Sequence, residues 1–123
     1  MTSSDTADLL MILRHAPYGS SWLREGLDAA LVAAAFGQQV SLLFLGEGIL
    51  SLLSNQAAGA PGQKATAPSI DMLPMYDIET VLVAQEDLAR YELTLEDLRL
   101  PARACDDEAI QREITRHAEV LTF

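Results

Sequence analysis

The chain has 123 residues, half of them apolar, and a formal net charge of −10 at neutral pH. This length predicts one domain, residues 1–123, with an ordinary apolar core. The acidic excess, with twelve acidic against five basic residues after residue 75, leaves no basic patch for holding phosphates. We therefore expect no direct binding of nucleic acid.

The cysteine content and the N-terminal segment indicate where the protein works. Cys105 is the only cysteine, so an intrachain disulfide is excluded, which is compatible with a reducing cytoplasm. Residues 1–8 are polar and acidic, and the apolar run at residues 9–13 is too short for a secretory signal. No run approaches membrane-spanning length. We expect a soluble, cytoplasmic protein without membrane contact.

A strand, a polar loop and a helix open the chain. Residues 9–13 form a continuous apolar run, which is typical of a strand covered on both faces. Apolar residues then recur at spacings of three and four over residues 23–36, which predicts a helix that Ser20 or Ser21 caps. In α/β domains, ligands and partners are usually met after the carboxyl end of a strand. The loop at residues 15–22 is therefore the first candidate working surface.

The middle of the chain repeats this alternation. A second buried strand is predicted at residues 40–45, and Gly46 and Gly48 lead into a short helix at residues 49–53. These glycines do not complete a dinucleotide or P-loop motif, so we interpret them as a strand-to-helix turn. Residues 55–68 are rich in glycine, proline and alanine and predict a surface loop.

The C-terminal half contains the remaining predicted elements. A short helix at residues 69–75 distorted by Pro74, a strand at 79–84 and a helix at 85–91 precede a weaker strand at 98–104. Pro101 removes a donor from that strand and places it near or at an edge. The last strand covers residues 120–123. This alternation predicts a three-layer α/β/α sandwich with a mostly parallel five-stranded sheet.

A last helix is predicted from Asp106 or Asp107 to about residue 118. Residues 110, 114 and 118 have the spacing of its buried stripe. Two pairs of residues four apart, Glu108 with Arg112 and Glu113 with His117, are predicted on its outer side.

The reactive side chains do not combine into a catalytic set. His15 needs a partner to act as a base, but Ser20 and Ser21 are better interpreted as helix caps. Two histidines and one cysteine lack metal-ligand spacing, so we predict neither a metal nor another cofactor. Cys105 precedes a helix start, which favours a thiolate, but the acidic residues 106–108 disfavour it. We predict an inert cysteine and no catalytic residue.

Several separate segments resemble one family. One of them resembles the signature of the TusC/DsrF family: PYGSSWLREGLDAAL at residues 17–31, above all REGLDA at 24–29. Within this family, the chain is most similar to TusC. VSLLFLGEG at residues 40–48 resembles the family's second strand and glycine turn. LPMYDIE at residues 73–79 is similar to the family's L-x-x-YDIE stretch. The C-terminal residues 108–123 also fit.

This resemblance implies a DsrE/DsrF-like fold and a non-catalytic subunit of a hetero-oligomeric sulfurtransferase complex. The implied complex is a dimer of trimers with TusB-like and TusD-like sister subunits, which relays persulfide sulfur through a TusE-like carrier. The sulfur serves 2-thiolation of the wobble uridine of tRNA. In the family, the sulfur-carrying cysteine belongs chiefly to the TusD or DsrE subunit. The corresponding segment of this chain, near residues 71–76, contains no cysteine.

Two alternatives stay open. One is the DsrF subunit of a DsrEFH complex in sulfur oxidation, and the other is a free-standing thiol sulfurtransferase that uses Cys105. The candidate partner-contact residues are His15, Tyr18, Tyr76 and Asp77.

Overall fold

A computed structural model describes residues 7–16, 21–53 and 69–123 of the chain. The predicted loop at residues 55–68 and two residues of interest, Tyr18 and Ser20, lie outside this described part. The described strands are β1 (Ala7–Leu13), β2 (Val40–Phe44), β3 (Thr80–Ala84), β4 (Arg103–Cys105) and β5 (His117–Thr122). The α-helices are α1 (Trp22–Ala35), α2 (Gln85–Arg90) and α3 (Asp107–Arg116).

The five strands form one sheet in the order β4-β3-β2-β1-β5, and every neighbouring pair is parallel. The predicted parallel α/β sheet is confirmed, and β4 is an edge strand as expected. β4 has only three residues, and its pairing with β3 begins at Arg103, opposite Leu82. The two residues before Leu82 therefore have β2 on one side and no strand on the other.

Both faces of the sheet are covered, which explains the continuous apolar runs. Leu9, Met11 and Leu13 of β1 face the larger core, under α1, α2 and the 3-10 turns. Leu10 and Ile12 face a smaller core that also contains Ala109 and Ile110 of α3. The single helix α3 thus forms the third layer.

The short helical segments differ from the predicted ones. A 3-10 helix, Gly46–Leu52, replaces the predicted helix at 49–53. The predicted helix at 69–75 is a helical turn at residues 69–72 followed by the 3-10 turn Leu73–Tyr76, which contains Pro74. A further 3-10 turn, Leu95–Asp97, precedes β4.

The prediction for the last helix is wrong at its end and in its buried stripe. The chain leaves the helix after Arg116, because His117 already pairs with Ala7 as the start of β5. Ile114 is 39% exposed and Ala118 is exposed, whereas Glu113 and His117 are buried. The sheet-facing side of α3 is therefore polar in its last turn.

Neither predicted outer pair on α3 forms as expected. Glu108 and Arg112 make no ion pair in the described structure. The Glu113 carboxylate instead binds Arg103 of β4 and Arg116, each at 3.0 Å. A buried carboxylate needs such compensation, and two guanidinium groups supply it here.

Candidate functional site

The carboxyl end of β1 is the surface that the sequence singled out, and backbone contacts fix its position. The Leu13 carbonyl accepts from the Leu45 N–H at 3.0 Å, and the Arg14 N–H donates to the Phe123 carbonyl at 2.9 Å. Gly48 passes so close that a Cβ there would lie 2.2 Å from the Leu13 carbonyl oxygen. The end of β1 is thus held between the turn after β2 and the chain terminus.

His15 projects from this fixed end and stacks on Trp22, the first residue of α1. Their ring centroids are 5.8 Å apart with an interplanar angle of 21°. Trp22 is 51% exposed, while the His15 Nδ1 atom is buried without a hydrogen-bond partner in the described residues. Buried polar atoms are normally satisfied. The pair therefore exposes an aromatic face at the carboxyl end of β1 and leaves one buried polar atom of His15 unsatisfied within the described residues.

Ser21 does not give His15 a nucleophile. Its hydroxyl donates to the Glu25 carboxylate one helical turn later. Ser21 stands at the N-cap position of α1, but its side chain makes no capping hydrogen bond, so the predicted cap is wrong in its chemistry. The arrangement at His15 suits contact with another molecule better than acid–base catalysis.

Tyr76 and Asp77 lie at the other end of the sheet. Both precede β3, so they sit at the amino ends of the parallel strands, whereas His15 follows the carboxyl end of β1. Tyr76 is half-buried against the larger core, and Asp77 is exposed with a left-handed φ of 63°. The structure therefore separates the predicted contact residues into two surfaces. Tyr18 lies outside the described residues.

The segment at residues 71–76 contains no cysteine, and an ion pair between Asp71 and Arg99 holds it in place. The Asp71 carboxylate forms a two-point contact with the Arg99 guanidinium, at 3.0 and 3.1 Å. Such bidentate pairs fix geometry as well as charge. The segment is thereby tied to the chain just before β4.

Cys105 is buried at the carboxyl end of β4. It is 1% exposed and belongs to the smaller core, with Leu43 and Leu82 among its neighbours. Its nearest polar contact is the Arg103 carbonyl, 3.9 Å from Sγ. A thiol in this position cannot meet a donor or an acceptor of sulfur without opening the core.

A polar pair that the sequence interpretation missed links α3 to the sheet. His117 was expected on an outer helical face, but its imidazole is buried between Ser41 of β2 and the last turn of α3. The signal was Ser41 itself, a hydroxyl inside an apolar strand that needs a buried partner.

Large apolar side chains are exposed on α1, at its C-cap and in the turn Leu73–Tyr76, and α1 and this turn are in contact. Phe36 is 85% exposed, Met75 78% and Val32 56%. Exposed apolar groups of this size mark interaction sites when they lie together. This surface is a second candidate for contact with a partner.

Two classes of site find no support in the part of the chain that the structure covers. There is no group of three or more histidine, cysteine, aspartate and glutamate side chains that could hold a metal ion. None of its helices has the length and apolar character needed to cross a membrane.

The structure is a small parallel α/β protein with a buried thiol. Aromatic, apolar and acidic side chains lie at the carboxyl and amino ends of its strands. The DsrE/DsrF-like family model matches residues 7–123. The chain therefore belongs to the DsrE/DsrF-like family.

Among its relatives are proteins described as TusC homologues. The one from Vibrio parahaemolyticus is 34% identical over 117 residues, which cover 95% of this chain and 99% of the relative. The one from Pseudomonas aeruginosa is 32% identical over 115 residues, covering 94% and 97%. The crystal structure of the ychN protein from E. coli has a TM-score of 0.78 and covers 96% of this chain and 100% of that chain. At 14% identity, this last match shows the fold alone.

Proposed function

We propose that the chain is a non-catalytic subunit of a TusBCD-like sulfur-relay complex that serves 2-thiolation of the tRNA wobble uridine. The observation that carries the proposal is the burial of Cys105, the only thiol of the chain, in a protein that matches TusC homologues over nearly its whole length. Persulfide transfer needs an accessible thiolate. The sulfur is therefore carried by a sister subunit.

The exposed apolar surface supports a role in assembly. Phe36, Met75 and Val32 expose apolar area that a partner would remove from water, at roughly 25 cal/mol per Å². The proposed contact residues are His15 and Trp22 at the carboxyl ends of the strands and Tyr76 and Asp77 at the amino ends. Tyr18, which lies between His15 and Trp22 in the sequence, is a further candidate. TusB-like and TusD-like chains are the proposed partners, and a TusE-like carrier receives the sulfur from the complex.

The burial of Cys105 argues against a free-standing thiol sulfurtransferase. The DsrF alternative differs in pathway rather than in structure, so a cellular experiment distinguishes it. We expect deletion of the gene to remove 2-thiouridine from the wobble position of tRNA in the source organism. Expression of the wild-type chain or of Cys105→Ala restores the modification. Unchanged 2-thiouridine after deletion would contradict the Tus assignment, and failure of Cys105→Ala alone would return the thiol to the mechanism.

A further inference from the structure

An apolar hollow lies at the amino end of β3, on the side where β4 is missing. Because β4 begins opposite Leu82, residues Thr80 and Val81 have no strand beside them there. The hollow has a volume of about 300 Å³ and is lined by Pro74, Ile78, Glu79, Val81, Leu100 and Pro101. It is large enough for one bulky apolar side chain.

A second, polar hollow shares Glu79 with the first and lies on the β2 side of β3. It measures about 200 Å³, and its lining includes Ser41, Asp77, Thr80 and Arg116. The Arg116 guanidinium shares the Glu113 carboxylate with Arg103, so these three side chains together carry one positive charge. Asp77 and Glu79, both exposed, form no ion pair with any residue of the described ranges. The uncompensated charge at this hollow is therefore negative.

We propose that this amino edge docks a segment of a sister subunit that places an apolar side chain in the first hollow and a lysine or arginine in the second. The inference rests on the proposed function, since it needs a subunit that assembles with partners. It adds the chemistry of the partner segment. A hollow wall with two free carboxylates on a chain of net charge −10 is complementary to a basic side chain, not to an acidic one.

Glu79 lines both hollows, so its carboxylate is the one that a partner segment filling both hollows would meet. A basic side chain can bind that carboxylate while its neighbour enters the apolar hollow. This segment contacts a part of the molecule remote from His15 and Trp22, so one chain can contact two partners at once.

The test uses the complex formed with the TusB-like and TusD-like chains of the same organism. Asp77→Asn together with Glu79→Gln removes both charges, and asparagine tolerates the left-handed backbone at position 77. We expect the dissociation constant to rise about tenfold and its dependence on NaCl to weaken, because each exposed ion pair contributes up to about 1 kcal/mol. Glu108→Gln together with Glu119→Gln, on α3 and β5 and outside the lining of both hollows, removes the same number of charges and should change neither quantity.

A cross-linking arm identifies the occupant of the apolar hollow. Pro101→Cys, labelled with benzophenone maleimide, should cross-link a sister subunit at a peptide with adjacent apolar and basic residues, whereas labelled Glu119→Cys should not. If the wild-type chains fail to associate, the proposed function fails. If they associate and the double variant binds with unchanged affinity and salt dependence, the docking inference alone is overturned.

Discussion

The imidazole of His117 lies 2.9 Å from the hydroxyl of Ser41, a residue 76 positions earlier in the chain. The other ring nitrogen, Nδ1, faces the Glu113 carbonyl at 2.6 Å and must donate to it. In the neutral ring, Nε2 then accepts from the Ser41 hydroxyl. One buried side chain thereby joins the end of α3, the start of β5 and the amino end of β2.

We predict that His117→Ala destabilises the chain by about 3 kcal/mol, because it leaves the Ser41 hydroxyl and the Glu113 carbonyl unpaired and opens a cavity. Ser41→Ala should cost about 1.5 kcal/mol, since only Nε2 loses its partner. Urea unfolding of the purified variants gives both free energies. In the double variant the two losses should not add. Full additivity would mean that the two side chains act independently.

Asp87 of α2 forms a hydrogen bond with the turn after β2, 41 residues earlier in the chain. Its buried carboxylate accepts the Gly46 N–H at 2.6 Å. Asp87→Ala should lower the free energy of unfolding by about 2 kcal/mol and speed hydrogen exchange at the Gly46 amide. Asp87→Asn keeps an acceptor oxygen and should cost less. Unchanged exchange at Gly46 in the alanine variant would show that this contact does not hold the turn.

Substitutions at two glycines, Gly48 and Gly37, distinguish the effect of steric crowding from that of backbone strain. A Cβ at Gly48 would overlap the Leu13 carbonyl oxygen, whereas a Cβ at Gly37 meets nothing within 4 Å but has a φ of +94°. Gly37→Ala should therefore cost about 1 to 2 kcal/mol from strain alone. Gly48→Ala should cost more, because β1 or the Gly46–Leu52 segment must move. Thermal unfolding of the two variants compares them, and an equal or smaller loss at Gly48 would argue against a tight contact there.

The stacked pair at the carboxyl edge should matter more for assembly than for folding. Trp22→Ala removes a half-exposed ring, so we expect about 1 kcal/mol of lost stability in the isolated chain. The same variant should weaken association with the sister chains clearly, as aromatic anchors often dominate interfaces. Ile114→Ala, on α3 and outside the proposed contact surfaces, also removes an exposed apolar side chain and serves as the comparison. Association that is unaffected by Trp22→Ala would make the loop a simple connector.

The sequence predicted the sheet well because its signals were local. Continuous apolar runs located β1, β2 and β3, and the short, proline-preceded β4 was correctly placed at an edge. The prediction of the last helix was wrong because hydrophobic periodicity does not report contacts between residues far apart in the sequence. Pairing of His117 with Ala7 ends the helix early, and the buried Glu113 is compensated by Arg116 and by Arg103 of a distant strand.

The candidate site was predictable only in part. Strand ends identified His15 and the segment at residues 73–79 as special, and both remain candidate contact residues. Their separation by the length of the parallel strands follows from topology, which no single motif contains. The apolar hollow beside Glu79 depends on where β4 begins, and the local sequence pattern did not predict that residue.

The proposed role of the chain is tested most directly by determining which subunit of the assembled complex carries the persulfide sulfur. The chain is co-expressed with its TusB-like and TusD-like partners, loaded with a persulfide donor, and analysed by native and peptide mass spectrometry. We predict a hetero-hexamer with two copies of this chain, a persulfide on the TusD-like subunit, and none on Cys105. A chain that stays outside the complex, or an exchangeable sulfur adduct on Cys105, would contradict it.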